Sequence, residues 1–327
     1  MPVLRRQAKD RKNIHPAAIG LKARLVIYIY NTPYPLTSGA RPNMDSVMNE
    51  TAPTPPTADN ASPAAVKSAK KEDNFFVFLL KLVLIVAIFR SFIFSPFNIP
   101  SESMLPRLQN GDYLLAAKWP YGYSSYSLPF SVPLLPSRIL ATEPTRGDVV
   151  IFKQPPLNDV DYIKRVIGLP GDTVQMVDGV LHLNGQAIPK QRVADFEIAV
   201  SANTKCYSSQ FAAKRADGSD VCRYPRYKEV LPGGRAYYVL DLGPRPQDDT
   251  PPVVVPQGRL FLMGDNRDNS EDSRFEAVPG GGIGLVPQDN LVGRATVMMF
   301  STDGSSEWIK PWTWFTAARW DRIGGTF

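Results

Sequence analysis

The sequence predicts a mainly β protein carried on an N-terminal transmembrane helix anchor. One long apolar run, a change to strand-like patterning after it, and an abundance of proline and Asn-Gly or Asp-Gly turns point that way. Of 327 residues, 31 are proline, concentrated in the first third and in loops such as 129–136 and 244–256. That disfavours a helix bundle and suits short strands joined by turns.

Residues 1–73 are rich in Pro, Ala, Thr, Ser and charge without sustained period, the composition of a disordered cytoplasmic tail. Leu25 to Tyr30 is apolar but too short to span a bilayer, and Met44 and Met48 leave the translation start open. Residues 74–95 form the anchor. Phe75 to Phe94 reads FFVFLLKLVLIVAIFRSFIF, and twenty helical residues rise about 30 Å, the thickness of a hydrocarbon core. Lys81 and Arg90 interrupt it. Arg90 is near enough to the end to snorkel to the interface, whereas Lys81 has further to reach. A buried amphipathic helix is the competing reading. A cleaved leader is disfavoured, because Ser95-Pro96-Phe97-Asn98 offers no small-x-small site. Lys67, Lys70 and Lys71 stay cytoplasmic by the positive-inside rule, which sends the C-terminal part outward.

Beyond Ser95 the elements follow from turn chemistry. Gly147-Asp148 leads into a buried strand, Val149 to Phe152. Asp161 to Gly168 is a second β-rich run, closed by Leu169-Pro170-Gly171-Asp172. Thr173 to Val177 and Val180 to Leu183 flank Asp178-Gly179, with Asn184-Gly185 following. Tyr237 to Leu240 and Leu260 to Met263 complete the clear strands. Cys206 and Cys222 enclose a short polar loop. They read either as unrelated thiols or, in the oxidising compartment the anchor implies, as a disulfide stabilising by roughly 3 kcal/mol.

Net charge is +6, suited to solubility and anionic lipid. No basic stripe interleaved with aromatics points to nucleic acid, and no dinucleotide or phosphate loop occurs. The only histidines, His15 in the tail and His182 within an alternating strand, are poorly placed for a serine–histidine triad. A different pair stands out: Ser103, in Pro100-Ser101-Glu102-Ser103-Met104-Leu105-Pro106, and Lys164, in Asp161-Tyr162-Ile163-Lys164-Arg165. A serine hydroxyl needs a base, and lysine serves only when neutral. Lowering its pKa from ~10.4 to about 7 or 8 takes some 3 to 5 kcal/mol, which burial in a β-rich run supplies. The Ser103 N–H and Ser101 hydroxyl are candidate oxyanion donors. Met263-Gly264-Asp265-Asn266-Arg267-Asp268-Asn269-Ser270-Glu271-Asp272-Ser273-Arg274 reads as a solvated loop or as a rigid hydrogen-bonded support for a site.

With Arg146-Gly147-Asp148-Val149-Val150 and the Lys164 segment through Asp172, these blocks resemble bacterial type I signal peptidase, the leader peptidase family with a serine–lysine dyad. The resemblance covers residues from about 75 to Arg322-Ile323-Gly324-Gly325. It implies a signal-peptidase-like catalytic β-domain in two parts, 96–172 and 262–327, around an inserted second β-domain, 173–261, that carries Cys206 and Cys222. It also implies a membrane-bound endopeptidase cutting signal peptides after Ala-x-Ala. Ser103 takes the nucleophile's place and Lys164 the general base's. Ser101 matches the oxyanion donor and Ser270 the serine that orients the lysine. Asp272 and Arg274 match a supporting ion pair, and Asp265 and Arg267 stabilise the same loop. Phe97, Ile99, Met104, Leu108, Ile151, Tyr162 and Ile163 match the substrate pocket. The family's chemistry needs no metal or organic cofactor. Its partners are preprotein signal peptides and the phospholipid bilayer, with the secretion translocase nearby; its place is the cytoplasmic (inner) membrane, single-pass, with the catalytic domain on the periplasmic or extracellular side.

Glu102 and Arg107 depart from residues frequent in relatives and bear on specificity. Trp308, Trp312, Trp314 and Trp320 suit either the membrane interface or core packing. Other readings are a peptidase dedicated to a pilin or conjugation protein, a self-cleaving repressor, which requires a helix-turn-helix before the protease, and an inactive membrane scaffold. Acyl-transferase chemistry of the penicillin-binding type lacks its companion motifs.

Overall fold

The computed structural model describes residues 74–327 apart from Trp308; the tail, its start sites and Lys67, Lys70 and Lys71 lie outside the described residues. Helix α1 (Phe75–Phe92) is capped by Asn74, whose side chain accepts from Phe76 N–H. Ser91 is its one buried residue. A helix apolar over most of its surface and, among the described residues, exposed at every position but Ser91 is not a buried amphipathic core helix, so the competing reading of this run falls away. Its 18 residues and mean hydropathy of 2.4 make it long and apolar enough to cross a membrane. The helix ends two residues before Phe94, the expected limit, because Phe94 already begins a strand paired with Ala117.

In chain order the strands are β1 (Phe94–Asn98), β2 (Asp112–Ala117), β3 (Val149–Lys153), β4 (Asp161–Gly168), β5 (Thr173–Val177), β6 (Val180–Leu183) and β7 (Gln186–Ala187). They continue as β8 (Lys190–Ala199), β9 (Ala212–Lys214), β10 (Asp220–Val230), β11 (Ala236–Leu240), β12 (Val253–Val254), β13 (Arg259–Met263), β14 (Val286–Pro287) and β15 (Leu291–Ser301). A seven-stranded antiparallel sheet runs β1-β2-β15-β3-β4-β13-β14. Between β4 and β13 the chain builds two smaller sheets, β12-β5-β6-β7 and β11-β10-β8 with β9 added to β10.

The unbroken apolar run in β3 has a physical cause, since the main sheet is covered on both faces. Val149 and Ile151 pack with Ile99, Met104 and Leu114, whereas Val150 and Phe152 pack with Tyr121, Val166 and Leu262. Turn chemistry sets the β5–β6 hairpin: Asp178 and Gly179 both adopt positive φ, 48° and 71°, as a two-residue hairpin connection requires. Cys206 and Cys222 form a disulfide. It ties the loop before β9 to β10, within a cluster that includes Phe211, Tyr224 and Leu240.

Candidate active site

Three chain segments converge at one cleft. The first follows β1, where Ser101 and Ser103 occupy a turn. Asn266 holds this turn from behind: its backbone N–H donates to Ser103 O (3.0 Å) and its side-chain amide to Glu102 O (3.1 Å). The second is β4, hydrogen-bonded between β3 and β13, with Lys164 opposite Val150. The third is the loop leaving β13 at Gly264. A Cβ there would stand 2.2 Å from Ser270 Oγ and 2.6 Å from Ser103 O. Only glycine lets this strand end approach both serines.

Lys164 Nζ donates to Ser103 Oγ at 2.8 Å. The lysine is 4% exposed. Burial pulls its pKa down to about 8, against the opposing pull of Asp272 and Asp265. An amine with that pKa is partly neutral near pH 7 and can accept a proton. Ser101 Oγ lies 3.5 Å from Ser103 Oγ, and among the described residues the Ser103 N–H donates to no protein acceptor. Both sequence-derived oxyanion donors are thus uncommitted to the rest of the fold.

Ser270 is buried in the same cleft, but its hydroxyl has no hydrogen-bond partner. The Ser270–Lys164 hydrogen bond implied by the resemblance is absent here; the amine is turned to Ser103. Asp272 and Arg274 do pair, through 2.9 and 3.0 Å contacts deep in the fold, and Asp272 also accepts from Gly264 N–H. Asp265 and Arg267 reach outside their loop. Asp265 receives a two-pronged contact from Arg165 of β4, at 2.7 and 2.6 Å. Arg267 grips Glu229 of β10 at 2.9 and 2.6 Å, with Tyr237 of β11 donating to the same carboxylate.

The cleft encloses about 790 Å³, with Phe97, Ile99, Ile151, Tyr162 and Ile163 among its walls. Met104 and Leu108 are not. Both are fully buried, because the turn after Ser103 folds inward with Leu108 N–H on Met104 O, and they pack beneath the cleft against Ile99 and Leu114. Tyr207, Val160, Glu271 and Phe275 line the cleft and were not singled out from the sequence. Tyr207 is carried in by its neighbour Cys206, whose pairing was the one available signal. Glu102 and Arg107 do not line it; the Arg107 guanidinium lies 5.1 Å from the Phe327 ring centroid. Trp312, Trp314 and Trp320 are exposed, which removes the core-packing alternative for those three.

Residues 73–300 match the family described as Signal peptidase, peptidase S26. The chain belongs to that family. It is 37% identical over 253 residues to Signal peptidase I of Rickettsia conorii, covering 75% of this chain and 84% of that protein. Against Signal peptidase I of Rickettsia typhi it is 36% identical over 245 residues, covering 72% of this chain and 82% of that one. A solved signal peptidase I from Enterococcus faecalis aligns with 47% of this chain and 97% of its own at 23% identity, with a TM-score of 0.24, too low to bear on the fold. Membership in S26 makes the chain a signal-peptide-cleaving serine endopeptidase, and α1 is long and apolar enough to cross a membrane.

Proposed function

We propose that this peptidase cleaves exported preproteins after a small-x-small (Ala-x-Ala) sequence, at the outer face of the cytoplasmic membrane, with Ser103 as nucleophile and Lys164 as general base. The observation that carries the reading is the 2.8 Å contact between Ser103 Oγ and a buried lysine held near pKa 8.

The steps follow from that contact. Ser103 Oγ attacks the scissile carbonyl carbon as its proton passes to neutral Lys164 Nζ. The carbonyl oxygen, now negative, receives hydrogen bonds from Ser103 N–H and the Ser101 hydroxyl. As the tetrahedral intermediate collapses, Lys164 returns the proton to the departing amine and an acyl-serine ester remains. A water then attacks the ester, giving its proton to Lys164. Collapse of the second intermediate restores the Ser103 hydroxyl with that proton and frees the carboxylic acid, which gives its remaining proton to water.

Small residues at the cleavage site fit the apolar walls. Ile99, Ile151 and Ile163 are nearly fully buried β-branched side chains, stiff at χ1 and packed from behind. They exclude a long side chain by clash more strongly than they reward a methyl group. The substrate's apolar segment lies in the bilayer as it leaves the secretion translocase, and α1 sets the site beside it; the lysines of the N-terminal tail support the outward orientation.

An Ala-x-Ala preprotein in detergent micelles tests the assignment. Wild type is expected to cleave at that position. Ser103→Ala and Lys164→Ala, with folds intact by circular dichroism, are expected to lose activity by about 10⁴-fold or more. Cleavage by either folded variant at the wild-type rate would remove its residue from the mechanism.

A further inference from the structure

A second cavity lies where α1 leaves its apolar span, and nothing in the peptidase chemistry uses it. It holds about 150 Å³, room for a phosphate group at about 30 Å³ per water-sized group. Arg90, Lys118, Lys153 and Asp161 supply its charges. Lys153 pairs with Asp161 at 3.0 Å. Arg90 and Lys118 have no carboxylate partner within ion-pair distance among the described residues, so the cavity carries two uncompensated cations.

Lys118 is the unusual member. It is 4% exposed, and its amine spends one N–H on Ser127 O at 2.9 Å. Burial first, then the repulsion of Lys153 and Arg90, lowers its pKa to about 8, with Asp161 opposing. Burying a cation beside two others is costly unless an anion joins them.

The height of the cavity identifies the anion. Arg90 sits in the last turn of α1, and Lys118 N–H donates to Ile93 O just past the helix end. Aromatic side chains gather at this exit, Trp119 edge-on to Phe94 and Tyr123 edge-on to Phe92, as at a membrane–water interface. Leu140, whose neighbour Ile139 bridges to Tyr123, is 77% exposed. Phospholipid phosphates stand at this level, directly outside the hydrocarbon.

We propose that Arg90, Lys118 and Lys153 bind the phosphodiester of an anionic phospholipid. The cavity shares Phe97 and Asp161 with the substrate cleft, so a bound headgroup fixes the bilayer surface beside Ser103. This inference rests on α1 crossing the bilayer and not on the serine–lysine chemistry.

The test is native mass spectrometry of the full chain in non-ionic detergent, titrated with phosphatidylglycerol or phosphatidylcholine. Wild type is expected to retain phosphatidylglycerol in preference to phosphatidylcholine. Arg90→Gln and Lys118→Met are each expected to weaken phosphatidylglycerol about fivefold, the effect of one interfacial charge. Arg90 is exposed at a helix end, so its variant decides the matter should Lys118→Met fail to fold. Equal binding of phosphatidylglycerol by wild type and Arg90→Gln overturns the site. Equal binding of the two lipids by wild type overturns its preference for anionic headgroups. Displacement of phosphatidylglycerol by millimolar inorganic phosphate overturns the lipid assignment in favour of a free anion. Cleavage of a preprotein in lipid-free micelles, measured on the same samples, fails only if the peptidase reading fails.

Discussion

Lys164 serves two opposed requirements, and its environment expresses both. Burial drives the ammonium toward neutrality, while Asp272 and Asp265 favour the charged form and stop the fall near 8. On the proposal that Lys164 is the base, which acts only when unprotonated, kcat/KM is expected to rise with pH along a limb centred near 8, falling about tenfold per unit well below it. A limb centred near 6 in a pH–rate series would mean another group is the base. The same shift has a stability consequence whose sign is fixed by linkage. The folded-state value, about 8, lies below the ordinary 10.5, so the unfolded chain holds the proton more tightly. Below pH 8 both states are protonated and the folded state carries the whole penalty; wild-type stability then grows as pH climbs from 8 to 10.5. Lys164→Met is therefore expected to be more stable than wild type at pH 7, by at most about 3 kcal/mol. The advantage should shrink toward zero by pH 10.5, and urea melts across that range check it. A variant less stable than wild type at pH 7 would show that the amine's contacts outweigh its desolvation.

The loop from Gly264 to Arg274 is an irregular element held rigid by three arginine–carboxylate contacts, to β4, to β10 and within itself. The contact to β10 is the most consequential, because Arg267 is 4% exposed and Glu229 fully buried. Glu229→Ala leaves a guanidinium without its counter-charge inside the protein, a loss of about 3–5 kcal/mol in comparable pairs. Glu229→Met combined with Arg267→Met removes both charges and is expected to lose less. Urea denaturation of the two variants separates these outcomes, and equal losses would refute the isolated-charge account. This contact also marks where sequence reasoning stopped. The Ser103–Lys164 contact and the Asp272–Arg274 pair were legible because each residue sits in a short segment of distinctive residues. Glu229 lies 38 residues from Arg267, in a strand whose neighbours give no hint of it. Strands with turn dipeptides at their ends, such as β5 and β6, were likewise legible. β8 was not, since half of its residues are exposed and its apolar alternation is confined to Ala194, Phe196 and Ile198. Met104 and Leu108 were placed in the pocket by their match to the family's pocket positions, but the inward turn after Ser103 sends both to the core.

Across the whole molecule, anchoring and folding draw on different residues. The three sheets bury their own apolar faces, and α1 adds a single buried residue, Ser91. A chain lacking residues 1–92 is therefore expected to keep its fold, with a Tm within about 2–4 °C of the full protein, the shift that 1 kcal/mol produces in a domain of this size. It should not become indifferent to membranes, because Trp119, Leu140 and Trp312 remain 49%, 77% and 64% exposed and present apolar surface that α1 does not cover. Vesicle flotation of the shortened chain should still recover a bound fraction, one that Trp119→Ser with Leu140→Ser reduces. Its cleavage of a short soluble Ala-x-Ala peptide should match the full protein, while cleavage of a bilayer-embedded preprotein falls, because the search for substrate is no longer confined to the membrane plane. A collapse of Tm on shortening would show instead that α1 braces β1 and, through it, the Ser103 turn.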